Sequence, residues 1–483
     1  MPHDPTHILK GVFGHDTLRP LQAAIIERVL ERKDALVVMP TGSGKSLCYQ
    51  LPALALQGDN TGPNPGPGVT LVFSPLIALM EDQVASLKRK GVRAEYINST
   101  LSRKERERRQ HALSENAYDL IYATPERMRK PAFAQAIAAV PGGVKLLAVD
   151  ECHCVTRWGH DLRPAYQDVG AFRTQLGSPP TIALTATATP AVREDVRSVL
   201  GGTRASMPLF AAPIDRPNLT LAAQDVWNDE DKLTAIARAS REHPGTGIVY
   251  FALIKDLERY ETELARRLDR PIAVYHGRLD PSQKKRIYRR FIEARPSDNL
   301  LLLATNAFGM GVDKPDLRFI VHAQTPGSVE SYYQEVGRAG RDGEPSACTL
   351  LYSQDDLAIQ QQFVDWQNPP ADLLVRAATA IEQSGAHDFD VEELILDTVG
   401  KNRGDRRLEY AVITLERLGV IEPTSIPGRY TQIAELDHDD LDPEEIADKK
   451  QRDLKRLLDM VHLTKSESIA DFVRNYFDLE HDD

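Results

Sequence analysis

The stretch Ala35–Leu56, ALVVMPTGSGKSLCYQLPALAL, decides the fold class. It opens with a short apolar run, passes through a turn of small residues and continues into an apolar segment of helical length. Within it Met39–Ser46 reads MPTGSGKS. Small residues there let successive backbone N–H groups surround a phosphate, and the dipole of a helix starting near Lys45 adds positive potential. Thr41, Gly42, Ser43, Gly44, Lys45 and Ser46 are therefore the candidate phosphate site. Lys45 would neutralise the β- and γ-phosphates of ATP, and Ser46 would offer its hydroxyl to Mg2+. The general pattern asks for glycine where Met39 stands, so the match is incomplete.

Working outward, Val69–Ser74, Leu120–Ala123, Lys145–Asp150 and Thr181–Thr185 are similar apolar runs, each followed by a polar loop. Strands separated by helical stretches imply a parallel sheet with helices on both faces, and ligands then collect at the carboxyl ends of the strands. One such end carries Asp150-Glu151-Cys152-His153. There Asp150 would hold Mg2+ and Glu151 would act as general base on the attacking water. Cys152, His153 and Cys154 lack a second cluster of ligands at suitable spacing, so no zinc is expected. Gly247–Phe251, Ile272–Tyr275, Leu300–Ala304, Phe319–His322 and Cys348–Tyr352 repeat the pattern and predict a second lobe of the same type.

The predicted organisation is α/β, with two tandem parallel-sheet lobes at 1–207 and 208–355. A mainly helical region follows. Helices at Asp372–Ser384, Val391–Leu396 and Asp405–Leu418, with a hairpin at Val420–Pro423 and Arg429–Ile433, fit a winged helix over 356–436 or a generic helical appendage. An acidic linker and terminal helices occupy 437–483. Gly58–Gly68 (GDNTGPNPGPG) reads as a surface excursion.

Composition narrows the classes. With 42% hydrophobic and 27% charged residues the chain is globular rather than disordered. No apolar run approaches the ~18 residues of a membrane span. Four cysteines and no secretion signal at the N-terminus predict a reducing cytoplasm, nucleoid-associated in a bacterium. The net charge of −11 leaves nucleic-acid binding open, because phosphate contacts need only a basic groove within ~8–10 Å. The basic runs Lys88–Arg93, Arg103–Arg109 and Lys284–Arg290 each read as a solvated helix face.

The motifs together resemble the RecQ family of superfamily 2 helicases over about residues 8–355. Phe13-Gly14 and Leu18–Gln22 (LRPLQ) resemble the adenine-reading segment, with Arg19 and Gln22 at the nucleotide. Ser74–Gln83 (SPLIALMEDQ), Tyr122–Met128 (YATPERM), Ala183–Thr189 (ALTATAT), His276-Gly277, Ala304–Pro315 (ATNAFGMGVDKP) and Gln334–Gly343 (QEVGRAGRDG) resemble further helicase motifs. Asp150–Tyr166 (DECHCVTRWGHDLRPAY) resembles a catalytic motif fused to the aromatic-rich loop of this family.

The resemblance implies two RecA-like lobes, ATP and Mg2+ as cofactors and 3′–5′ movement on single-stranded and forked DNA; the expected state is a monomer. It places Gly311 and Asp313 at the nucleotide, Arg341 as arginine finger and Arg338 as γ-phosphate sensor, three apart on one helix face. His153, Trp158, His160, Arg163 and Tyr166 would bind DNA and report its presence to the ATP site, since aromatic and guanidinium planes stack on bases for ~1–3 kcal/mol each. Leu162 stands where the family usually has an aromatic. The family's four-cysteine zinc site has no counterpart, because no cysteine follows Cys348. An RNA remodeller, or a nucleotide-gated DNA-binding module that does not unwind, are the competing readings.

Overall fold

Runs of Val, Leu and Ile too short for a helix and buried on both sides are what a helix-covered parallel sheet requires. The first lobe has seven such strands, all neighbours parallel. Across the sheet they run Ala94–Ile97, Leu120–Ala123, Val69–Phe73, Val144–Asp150, Thr181–Thr185, Ala35–Val38 and Leu209–Ala211. Apolar clusters cover both faces. Ala35–Val38 and Val144–Asp150 flank a single strand, so the phosphate loop and Asp150 leave the sheet two strand spacings apart, about 10 Å. This computed structural model describes residues 4–40, 42–58, 66–155, 164–309, 312, 314–384, 389, 390, 394, 406–424, 426, 428–437 and 441–479.

The second lobe repeats the plan with six parallel strands in the order Ile272–Tyr275, Leu301–Thr305, Thr246–Phe251, Leu317–His322, Ser346–Tyr352 and Leu219–Asp225. One boundary expected from the sequence moves. Leu209–Ala211 pairs with Ala35–Val38, so the first lobe runs past 207 to Ala212, whose N–H bonds to Val38 O at 2.9 Å. A three-residue edge strand is too short to show a period. The edge strand Leu219–Asp225 also escapes the apolar-run criterion, because its side chains are only half-buried.

After the helix Gln354–Gln367, helices Ala371–Ser384 and Arg407–Arg417 and an antiparallel sheet of Phe389–Asp390, Arg429–Gln432 and Ile421–Pro423 enclose their own core, including Leu374, Ile381, Leu408 and Leu415. Of the helix expected at 391–396, only Leu394 lies among the described residues. The terminal helices Pro443–Lys465 and Ile469–Phe477 do not form the separate unit expected for 437–483. Met460, Leu463, Ile469, Val473 and Phe477 are buried in the second lobe's core beside Phe291, Val329 and Tyr332. Residues 460 and 463 are one turn apart, so both fall on the apolar stripe that faces the lobe.

The end of that last helix also reaches the first lobe. Arg193, on the helix Pro190–Leu200, is 1% exposed and donates from Nη1 to Phe477 O (3.1 Å) and from Nη2 to Asp478 O (3.0 Å). These are the carbonyls that a helix C-terminus leaves open. The guanidinium thus caps, from one lobe, a helix packed on the other. Removing it in Arg193→Ala strands two buried acceptors, and a loss of about 2–4 kcal/mol is expected. The urea midpoint measures this, and an unchanged midpoint would show that the cap contributes nothing in solution.

Candidate active site

The phosphate loop continues directly from its strand, with Met39 N bonded to Thr185 O at 3.0 Å. The backbone then turns through left-handed glycines, Gly42 at φ 79° and Gly44 at φ 87°, before the helix Leu47–Ala55 begins. Such values are cheap only for glycine. Nζ of Lys45 is buried in this turn, with no hydrogen-bond partner among the described residues. Gln22 holds the turn from outside. Its Oε1 accepts from Arg19 N (3.0 Å) and its Nε2 donates to the carbonyls of Ser43 and Gly44 (3.3 Å each), while Arg19 Nη1 donates to Ser43 O at 3.0 Å. The resemblance assigns the Gln22 amide to a base edge. In the structure both ends of that amide are bonded within the protein, so Nε2 must release the loop before it can pair with adenine.

Ser43 Oγ donates to Pro40 O at 2.5 Å. Ser46 is positioned by a residue that the sequence alone did not single out. Gln83 Nε2 donates to Ser46 Oγ (3.1 Å), and Gln83 Oε1 accepts from Tyr49 Oη (2.6 Å). Gln83 closes the quoted SPLIALMEDQ segment, but nothing in its spacing ties it to Ser46.

Asp150 ends the central strand, buried, with its Oδ1 accepting from Glu151 N at 3.1 Å. Burial raises the Asp150 carboxyl well above the ordinary carboxylate range, the adjacent Glu151 charge raises it further, and Lys45 opposes both. Ser46 offers a hydroxyl and Asp150 a buried carboxylate whose charge a divalent cation would offset, so the oxygen donors of these two residues fit Mg2+. Glu151 is a non-glycine residue at φ 49°, a turn that bends the chain sharply off the strand.

Beyond it His153 Nδ1 lies 2.9 Å from Thr185 Oγ1 and 3.4 Å from Glu151 Oε2. Thr185 Oγ1 donates to Thr187 O (3.0 Å), so its proton is committed and Nδ1 is assigned as the donor. Thr187 Oγ1 in turn accepts from Gln334 Nε2 of the second lobe at 3.1 Å. A continuous polar chain therefore runs from Glu151 to the opposite lobe.

Arg338 and Arg341 do not share a helix face as their spacing predicts. The helix Val329–Val336 stops before them, and both lie in the turn that follows, where Gly340 adopts φ 54°. The interlobe linker shapes that turn. Arg216 Nη2 donates to the carbonyls of Ala339 and Gly340 (3.0 and 2.9 Å), and Asn218 Nδ2 donates to Gly340 O at 2.8 Å. Arg338 is buried against the carbonyl of Gly309. Arg341 Nη1 donates to Val312 O at 2.9 Å, and its stem lies on the phosphate loop: a methyl group built on Gly42 would be 3.3 Å from Arg341 Cδ. The two lobes thus meet at the loop that holds Lys45.

Tyr166 is expected to face DNA, yet it is fully buried and donates from Oη to Asp150 O at 3.0 Å. It cannot stack on a base; it reaches the metal-binding candidate instead. Thr41, Trp158, His160, Leu162, Arg163, Gly311 and Asp313 lie outside the described residues. Among the described residues no group of three or more His, Cys, Asp or Glu side chains could hold a metal ion.

Two parallel-sheet lobes, one carrying a lysine phosphate loop and the other presenting an arginine to it, define a superfamily 2 motor. Residues 19–196 match the DEAD/DEAH box helicase family, and residues 230–343 match the helicase conserved C-terminal domain. The probable ATP-dependent DNA helicase RecS of Bacillus subtilis is 36% identical over 378 residues, 78% of this chain and 72% of its own length. The RecQ helicases of Bacillus subtilis and Haemophilus influenzae are 40% and 36% identical over 76% and 74% of this chain. The chain spans only 59% and 54% of those two proteins. Among solved structures, the DUF1998 helicase MrfA bound to DNA matches at TM-score 0.60 and 20% identity, over 90% of this chain and 60% of that one. Mycobacterium smegmatis Lhr bound to ssDNA and AMP-PNP matches at TM-score 0.56 and 22% identity, over 87% of this chain and 59% of that one. At such identities these two speak to the fold alone. The chain belongs to the RecQ family of superfamily 2 helicases.

The glycine requirement is testable. A Cβ on Gly44 would lie 2.4 Å from Gln22 Nε2, at a φ that L side chains rarely adopt. Gly44→Ala should impose about 1–3 kcal/mol of strain and weaken nucleotide binding roughly tenfold or more. Titration with a fluorescent ATP analogue reads this, and an unchanged Kd would remove Gln22 and Gly44 from the site.

Proposed function

We propose that this chain is an ATP- and Mg2+-dependent DNA helicase that moves 3′ to 5′ along one strand and opens duplex ahead of it, acting in repair and recombination. The observation that carries the reading is the Arg341 stem resting on Gly42 of the phosphate loop. It supports a triphosphate held between lobes that can close and open with hydrolysis. Lys45 binds the β- and γ-phosphates, and Thr41, Gly42, Ser43 and Gly44 supply backbone donors. Arg19 and Gln22 hold the adenine side, and Gly311 and Asp313 contribute from the second lobe. Ser46 and Asp150 hold Mg2+, which when bound neutralises phosphate charge. Glu151 takes the proton of the attacking water as the bond from its oxygen to the γ-phosphorus forms and the bond from the γ-phosphorus to the ADP oxygen breaks, releasing ADP, and His153 steadies the carboxylate. Arg341 stabilises the charge that builds on the transferring group, and Arg338 senses the γ-phosphate.

DNA coupling fits the loop between residues 155 and 164. The described residues on either side of it are His153, which contacts Thr185 on the neighbouring strand, and Tyr166, which holds the carbonyl of Asp150. Trp158, His160 and Arg163 on that loop would stack on unpaired bases. The compact unit around Leu374 and Leu415 supports a winged helix that touches duplex at the fork. Its helix Arg407–Arg417 approaches the first lobe through Glu416 Oε1, 3.6 Å from Arg129 Nη1, and Arg129 also pairs with Asp168 at 2.7 Å. Among the described residues no helix is long and apolar enough to cross a membrane.

Lys45→Ala should abolish ATPase activity, and Arg341→Ala should lower kcat by about 10³–10⁵-fold while nucleotide still binds. Trp158→Ala should bind ATP normally but lose stimulation by single-stranded DNA; stimulation at wild-type level would exclude the coupling role. Strand displacement on 3′- and 5′-tailed DNA and RNA duplexes decides among the readings. Unwinding only with a 3′ DNA tail is expected, and RNA unwinding or none at all would overturn it.

A further inference from the structure

Three basic runs stand out in an acidic chain, and the structure separates them. In the first, Lys88 pairs with Glu95 (2.8 Å) and Arg93 with Asp119 (2.5 Å). In the second, Arg103 pairs with Glu107, Arg108 with Glu105, and Arg109 with both Glu95 and Glu105, all at 2.6–2.8 Å. In these runs most of the arginines, and Lys88, are paired with carboxylates where they stand. The third run lies on the helix Pro281–Glu293. Its inner face is apolar, with Tyr288 and Phe291 packed on Phe308. Its outer face carries Lys285, Arg286, Arg289 and Arg290, all exposed.

None of the four forms an ion pair or hydrogen bond among the described residues, although Glu293 shares the helix and Asp280 at its N-cap feels the Arg286 charge. Lys285 and Arg289, and Arg286 and Arg290, are like charges at i,i+4, which oppose the helix they sit on. An isolated helix face gains nothing from that arrangement; a polyanion laid across it does. The helix begins at the carboxyl end of the edge strand Ile272–Tyr275, and Lys284 Nζ is tied to Gly277 O at 2.7 Å in the connecting loop. In parallel sheets that is the end where ligands lie. Beside it, His276 is 8% exposed and its Nδ1 is buried without a hydrogen-bond partner.

Resting on the helicase reading, we infer that the outer face of helix Pro281–Glu293 is a second, sequence-independent DNA contact, which holds the phosphates of duplex outside the path between the lobes. Lys285 to Arg290 spans about 7.5 Å along the helix. Four cations over that length approach the charge spacing of duplex DNA, roughly one per 1.7 Å, and exceed that of one strand, roughly one per 3.4 Å.

The test uses the full chain carrying Lys285→Ala, Arg289→Ala and Arg290→Ala together. Fluorescence anisotropy is followed against salt with a labelled blunt duplex and, separately, with oligothymidine. Each phosphate contact contributes about 0.9 to the slope of log K against log salt on duplex. The duplex slope should therefore fall by about 2–3 while the oligothymidine slope stays, with DNA-free ATPase activity and melting temperature unchanged. The paired arginines give the control: Arg103→Ala with Arg108→Ala should alter neither slope. An unchanged duplex slope, an equal fall in the control, or a fall confined to oligothymidine overturns the inference while leaving the helicase reading intact. Failure of the wild-type protein to bind either DNA overturns both.

Discussion

The arrangement depends on one buried cation. Lys45 Nζ sits inside the loop between strand and helix with no hydrogen-bond partner among the described residues, and Asp150, whose charge it feels, is itself pushed toward its neutral form by burial. An ammonium held that way is unfavourable unless an anion joins it. An anion bound there would lie beside the arginine turn of the other lobe, whose Arg341 stem rests on Gly42. The architecture serves this meeting. Parallel strands bring the loop and Asp150 to one edge, and the linker residues Arg216 and Asn218 shape the turn that bears Arg338 and Arg341.

The polar chain from Glu151 through His153, Thr185 and Thr187 to Gln334 gives the same edge a second function. Its first link is a 3.4 Å contact between Glu151 Oε2 and His153 Nδ1, and the links from His153 onward are hydrogen bonds inside the protein. Tyr166 adds a link on the other side by holding the carbonyl of Asp150.

Much of this could be read from residues alone, where local chemistry determines local shape. The apolar runs marked the buried strands, and the MPTGSGKS turn marked the phosphate loop, because few other functions require left-handed glycines beside a lysine there. What escaped depended on distant partners. Gln83 and Gln334 are ordinary glutamines until the fold sets them against Ser46 and Thr187. The spacing of Arg338 and Arg341 suggested a shared helix face, but Gly337 and Gly340 end the helix and carbonyls from elsewhere fix the turn. Leu209–Ala211 had too few residues to declare which sheet it joins. The terminal helices looked independent because their apolar stripe does not say which core it enters.

The carbonyl cap made by Arg193 gives the two lobes a further point of attachment, well away in sequence from the linker near residues 212–218. With the Gln334–Thr187 hydrogen bond and the Arg341 stem on Gly42, it leaves the lobes joined at several separate places. The last helix of the chain thus serves as a strap: it is anchored in the core of one half and buckled to the other by a single guanidinium.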